Sequence, residues 1–199
     1  MTVSLDPTVF DPTEILLRYL QRAREDLVST LDGLSEYDVR RPMTPSGTSL
    51  LGLVKHTASV EIGYFGECVG RPLDLGLPWD NEEAYEKGLD MYALAGESRE
   101  FLLDVYRQSW AHGDANVREL GLDAPAVVPW WSEERKHTTL GWLVVHQLDE
   151  TSHHAGHADI VREAIDGRGG DDHDQHGGEE HWSEFVGRIQ AEADQFRPA

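Results

Sequence analysis

Residues 146–163 read HQLDETSHHAGHADIVRE, and this stretch decides both how the chain folds and where its chemistry lies. It contains no proline, so nothing in it breaks a helix. Successive helical residues turn by about 100°, which puts His146, Glu150 and His154 on one face, with His157 one turn further along. Extended both ways, the stripe runs Leu143, His146, Glu150, His154, His157, Val161 and Ile165, the spacing at which an amphipathic helix meets its partners. Positions that a core fills with leucine therefore carry imidazoles and a carboxylate. Burying such groups unpaired costs roughly several kcal/mol per charge, and a bound divalent cation offsets that cost. The alternative is a hydrogen-bonded Glu–His pair in an ordinary core.

An open tetrahedral zinc site takes three protein ligands, so two on one helix require a third from elsewhere. Residues 49–70, SLLGLVKHTASVEIGYFGECVG, place Leu50, Leu53, His56 or Thr57, Val60 and Tyr64 on one helical stripe. His56 is the candidate third ligand, with a buried histidine bonded to a backbone carbonyl as the plainer reading. His112 and His137 fall near expected helix ends. His173, His176 and His181 belong to RGGDDHDQHGGEEH, whose composition is that of a disordered tail able to scavenge metal weakly.

The chain has 199 residues, 39% of them hydrophobic, enough for one well-buried domain and short for two. A net charge of −20 and a pI near 4.7 disfavour nucleic acid and anionic membranes, since no basic patch meets phosphate; Arg40 and Arg41 are an isolated pair in a loop. No apolar run is long enough to span a bilayer and the N-terminus does not resemble a signal peptide, so a cytoplasmic protein is expected. Cys68 is the only cysteine; it allows no internal disulfide and reads as a small buried hydrophobe.

Periodicity predicts four long helices. The first covers 12–34, with Pro12 in its first turn and Leu16, Leu20, Ala23, Leu27, Leu31 and Leu34 on one face. The second covers about 49–69, capped by Thr48 or Ser49 after the linker SEYDVRRPMTPSGT. The third starts after Ser98 and ends near Gly113 or runs on to Leu120. The fourth covers about 139–166 and stops at Gly167. Between them, RPLDLGLPWDNEEAYEKG is expected to lie over the mouth of a site, and GLDAPAVVPWWSEERKHTT to form an ordered loop whose Trp130 and Trp131 wall a pocket or pack onto the core. A short helix at 182–195 closes the chain. The expected fold is all-α, an antiparallel four-helix bundle at 1–167 followed by an acidic Gly/His-rich tail at 168–199.

KHTASVE around His56 and DETSHHAGHADIVREAIDG at the end of the bundle resemble the DinB-like four-helix superfamily, over roughly residues 10–167. The closer similarity is to its actinobacterial mycothiol S-transferase branch, the more distant one to mycothiol-dependent maleylpyruvate isomerase. The resemblance implies a divalent metal held by one histidine of the second helix and two ligands four residues apart on the later one, which assigns His56, Glu150 and His154. His153 and His157, with Asp159, also have ligand spacing and resemble the iron motif of related sulfoxide synthases; the HAGHAD segment favours the first register. His146, His153, His157 and Asp159 are then residues around the ligands or lining the pocket.

Such a ligand set leaves a position for a thiol or a water, and both are acidified by the metal. The first functional expectation is an S-transferase in which mycothiol or another low-molecular-weight thiol, as metal thiolate, attacks an electrophilic substrate. The second is another metal-dependent reaction, isomerisation or hydrolysis; the third is a non-enzymatic metal-binding bundle. Zinc, nickel and iron all suit two histidines and a glutamate. The expected partners are small molecules, and the chain is expected to be a monomer or homodimer.

Overall fold

The computed structural model describes residues 11–169 and 177–198. Helices α1 (Pro12–Ser29), α2 (Glu36–Arg40), α3 (Leu50–Phe65), α4 (Glu82–Glu86), α5 (Arg99–Leu120), α6 (Leu140–Asp166) and α7 (Glu179–Asp194) follow one another, with a two-stranded antiparallel ribbon of β1 (Pro125–Val127) and β2 (His137–Thr139) before α6. The starts of the long helices are written in the sequence. Asp11, Ser49, Ser98 and Thr139 each accept a hydrogen bond from a first-turn amide. Gly167 ends α6 at φ 77°, a left-handed conformation that costs glycine least.

The expected four-helix bundle is present in α1, α3, α5 and α6. Their directions follow from contacts at their ends. Arg118 of α5 meets Glu14 of α1, and Arg99 reaches the carbonyls of Leu31 and Leu34, so α1 and α5 are antiparallel. Tyr64 meets His146, and His56 meets His154, so α3 and α6 are antiparallel too. Asn116 donates to the Phe65 carbonyl, and Arg162 to that of Thr30, so α3 runs with α5 and α1 with α6. The long 70–98 connection makes this possible by returning the chain to the starting end of α3.

Two apolar clusters fill the bundle. One gathers Leu27, Leu51, Val54, Ala58, Leu102 and Ala158, the other Leu17, Leu20, Phe65, Val117, Leu140 and Leu143. Between them along the helices lie buried Arg24, Glu61, Gln147 and Thr151. Arg24 donates to both Glu61 oxygens, at 3.1 and 2.6 Å, and to Asp114 at 2.9 Å. This grip answers the desolvation of the pair, although burial still pushes the Glu61 carboxyl up to about 7 against the pull of Arg24.

Several expectations are corrected. The first helix stops at Ser29 rather than 34; Thr30 follows it and residues 30–33 turn. The 35–48 linker contains α2, and Arg40 there is not a free loop cation but donates to the carbonyls of Leu94 and Glu97. The 121–139 segment contains the ribbon, too short to show strand alternation. His112 lies inside α5 and donates through Nε2 to the Arg71 carbonyl at 2.7 Å. Cys68 is buried as expected, and burial pushes its thiol up to about 12. Residues 170–176, with His173 and His176, lie outside the described residues; His181 begins the exposed side of α7.

Candidate functional site

α3 is the central helix, buried nearly all round. Its less buried positions are His56, Val60 and Gly63, and they open towards α6. On α6 the fully buried row is Leu143, Gln147, Thr151, Ala155, Ala158 and Val161. His146, Glu150 and His154 form the adjacent row, half-buried, not the middle of the core as the stripe predicted. The reason is that α6 packs against both α1 and α3. Its small and apolar residues fill the seam between those helices, which leaves the next row to line a cleft beside α3.

His56 and His154 meet across this cleft, ring centroids 5.1 Å apart and planes at 85°. His154 Nε2 lies 3.5 Å from one Glu150 oxygen, and His146 Nε2 lies 4.0 Å from the other. Burial, with His56 as the next cause, pushes the His154 imidazole down to about 4, although Glu150 pulls the other way. Near neutral pH His154 is therefore uncharged and keeps a lone pair for a Lewis acid. Its Nδ1 is buried with no hydrogen-bond partner among the described residues.

These features bear on whether a divalent cation suits the cleft. Two donors sharing a tetrahedral ion, each at about 2.1 Å, stand about 3.4 Å apart, close to the 3.5 Å between His154 and Glu150. The donor types, a carboxylate and uncharged imidazoles, also suit it. Among the described residues, however, no three His, Cys, Asp or Glu side chains already converge as a metal-binding group.

The remaining candidates divide. His146 Nε2 is 3.1 Å from the Tyr64 hydroxyl, which accepts from Trp131 Nε1 at 3.2 Å. Trp130 also belongs to this wall: its ring centroid is 5.5 Å from that of Tyr64, and its edge lies over Gly63, where a Cβ would come within 3.2 Å of it. His153 and His157 are exposed on the outer side of α6, rings 4.8 Å apart, and Asp159 is half-buried.

Sequence reasoning missed Asp90. It is buried, and its carboxylate lies 2.8 Å from His56 Nδ1. The loop that carries it is pressed onto α3 by three residues of one helical turn. Gly52 leaves room for the Met91 carbonyl, with which any Cβ there would collide. Fully buried Lys55 donates to both Glu97 oxygens, at 2.9 and 2.8 Å, and to the Tyr92 carbonyl at 3.1 Å. His56 then meets Asp90. A glycine, a lysine and a histidine at 52, 55 and 56 were the available signal, but their common partner is about 40 residues away in sequence and follows no period.

An all-α bundle with this up-down-down-up order of long helices is a DinB-like fold. The chain belongs to the Mycothiol-S-transferase family, whose profile it matches over residues 15–167. It is similar to a conserved protein of Enterococcus faecalis known from a crystal structure, with a TM-score of 0.64 and 19% identity over 80% of this chain and 100% of that one; at that identity the likeness concerns the fold. No curated protein matches the chain. No helix of the described residues is long and apolar enough to cross a membrane.

Proposed function

We propose that this chain is a metal-dependent thiol S-transferase that joins a low-molecular-weight thiol, mycothiol or one like it, to an electrophilic small molecule. His56, Glu150 and His154 would hold the cation. The observation that carries the reading is the ring-to-ring meeting of His56 with His154 across the α3–α6 cleft, with Glu150 beside His154 on the same helix. A divalent cation bound there supplies the acidity that deprotonates a thiol at neutral pH.

The chain's own residues do the rest. His154, kept uncharged by its surroundings, needs no deprotonation before it can donate. Glu150 supplies the anionic donor and is flanked by both His146 and His154. Tyr64, Trp130 and Trp131 form an aromatic wall on the His146 side, which limits water and offers an apolar surface to the substrate carbon. The thiol proton leaves to solvent and the sulfur forms the new bond to carbon, while the electrophile releases its leaving group to solvent in a substitution or takes a proton from solvent in an addition. No residue of the chain is needed as a nucleophile, since the thiol brings the sulfur.

The test is turnover of a chromogenic electrophile by zinc-, nickel- or iron-loaded protein with and without added thiol. Consumption that requires both metal and thiol, and that is lost in His154→Ala, supports the reading. Metal-dependent consumption without thiol points instead to hydrolysis or isomerisation, and stoichiometric metal with neither activity to a structural binding role.

A further inference from the structure

We infer that Asp90 is a positioning residue that fixes the tautomer and the orientation of His56, so that Nε2 is the nitrogen that His56 offers to the cleft. The inference rests on the reading of His56 as a ligand. A carboxylate accepts, so the 2.8 Å contact between Asp90 Oδ2 and His56 Nδ1 puts a ring proton on Nδ1, and in the uncharged ring the lone pair is then on Nε2. His56 is half-buried and reaches from α3, so without this partner its ring is free to rotate about χ2 and to exchange tautomers. A carboxylate behind a ligating imidazole also makes the imidazole a stronger donor.

The surroundings of Asp90 serve that placement. Its side chain is only 10% exposed, and the loop on which it sits is tied to the same helix as His56. Lys55 holds Glu97 and the Tyr92 carbonyl, Glu97 accepts from the Leu94 amide at 2.8 Å, and Arg40 holds the carbonyls of Leu94 and Glu97 from α2. The Lys55 ammonium is itself covered by the Trp79 ring, 4.0 Å away. Asp90 is thus carried by a loop with its own ionic anchor, and removing its carboxylate leaves that anchor in place.

The test compares full-length wild type, Asp90→Asn, Asp90→Ala and His56→Ala by two readouts. Nitrogen-15 NMR of the imidazoles in metal-free protein reports the His56 tautomer, and competition with a chromogenic chelator reports zinc affinity. The expected result is Nδ1–H in the wild type, a mixed or inverted tautomer in Asp90→Ala, and zinc binding about 10- to 100-fold weaker, with Asp90→Asn in between because its amide oxygen still accepts. A wild-type His56 protonated on Nε2, or zinc affinity unchanged in Asp90→Ala while His56→Ala loses it, overturns the inference and leaves the ligand reading standing. Zinc bound equally well by His56→Ala overturns the ligand reading, and this inference with it.

Discussion

The imidazole of His56 on α3 stands edge-on to that of His154 on α6, their centroids 5.1 Å apart. Two helices far apart in sequence are thereby joined at one point, and Glu150 is the carboxylate beside that point. If these three hold a cation, each replacement by alanine removes it. His153→Ala, on the exposed side of α6, leaves it bound. Metal content of the dialysed variants checks this hierarchy, and the reverse order, with metal lost in His153→Ala and kept in His154→Ala, assigns the site to the outer register.

Gly52→Ala addresses the loop rather than the ligands. Its methyl group would collide with the Met91 carbonyl, so the loop has to lift away from α3 and take Asp90 with it. Helix propensity favours alanine over glycine by about 1 kcal/mol, so circular dichroism should show the helices intact while zinc affinity falls. Unchanged affinity with a helical spectrum would mean that the loop does not set the site.

Tyr64→Phe removes the acceptor of the Trp131 indole and the partner of His146. A loss of about 1–2 kcal/mol is expected in denaturant unfolding, together with a faster, more exposed tryptophan fluorescence signal from the 130–131 wall. A stability equal to wild type would show that water replaces the hydroxyl at both contacts.

Acid should weaken the metal-free protein in a defined window. The His154 imidazole sits near 4 when folded and near 6.5 when unfolded, so the unfolded chain binds more protons between those values. Its contribution is whole above about pH 6.5 and is lost as pH falls towards 4, by ~3 kcal/mol at most. Unfolding free energies of wild type and His154→Gln measured from pH 7 to 4 should keep a constant offset at the high end, where the imidazole is uncharged in both states, and shift against the wild type by up to ~3 kcal/mol towards pH 4; parallel curves would remove His154 as the cause.

The polar layer makes a stability prediction independent of function. Glu61→Ala leaves the Arg24 guanidinium fully buried with Asp114 as its remaining carboxylate, and removing one partner of a buried pair costs about 3–5 kcal/mol. Urea denaturation reads this directly, and a loss under about 1 kcal/mol would show that Asp114 or water takes over the charge.

Much of this was legible in the sequence for a physical reason. Leu20 and Leu27, Pro12, the caps Ser49 and Ser98, and Gly167 act locally, through helical period and hydrogen bonds spanning a few residues, so the long helices could be read from the chain alone. His56 was singled out by its place on an apolar stripe, and its assignment together with Glu150 and His154 as ligands came from the family resemblance. The fourth-helix stripe was placed one row too deep, because period locates a face but not which of two neighbouring helices it serves. Asp90 was invisible: its partner is chosen by a collision avoided at Gly52 and an ion pair between Lys55 and Glu97, both of which exist only once the chain has folded.

The most direct measurement is elemental analysis of the full chain beside its His56→Ala variant, both dialysed under the same conditions so that any metal held by the tail histidines is common to both. The account predicts that the wild type carries one equivalent of zinc, nickel or iron more than the variant. Equal metal content in the two, after incubation with each of these ions, would contradict it.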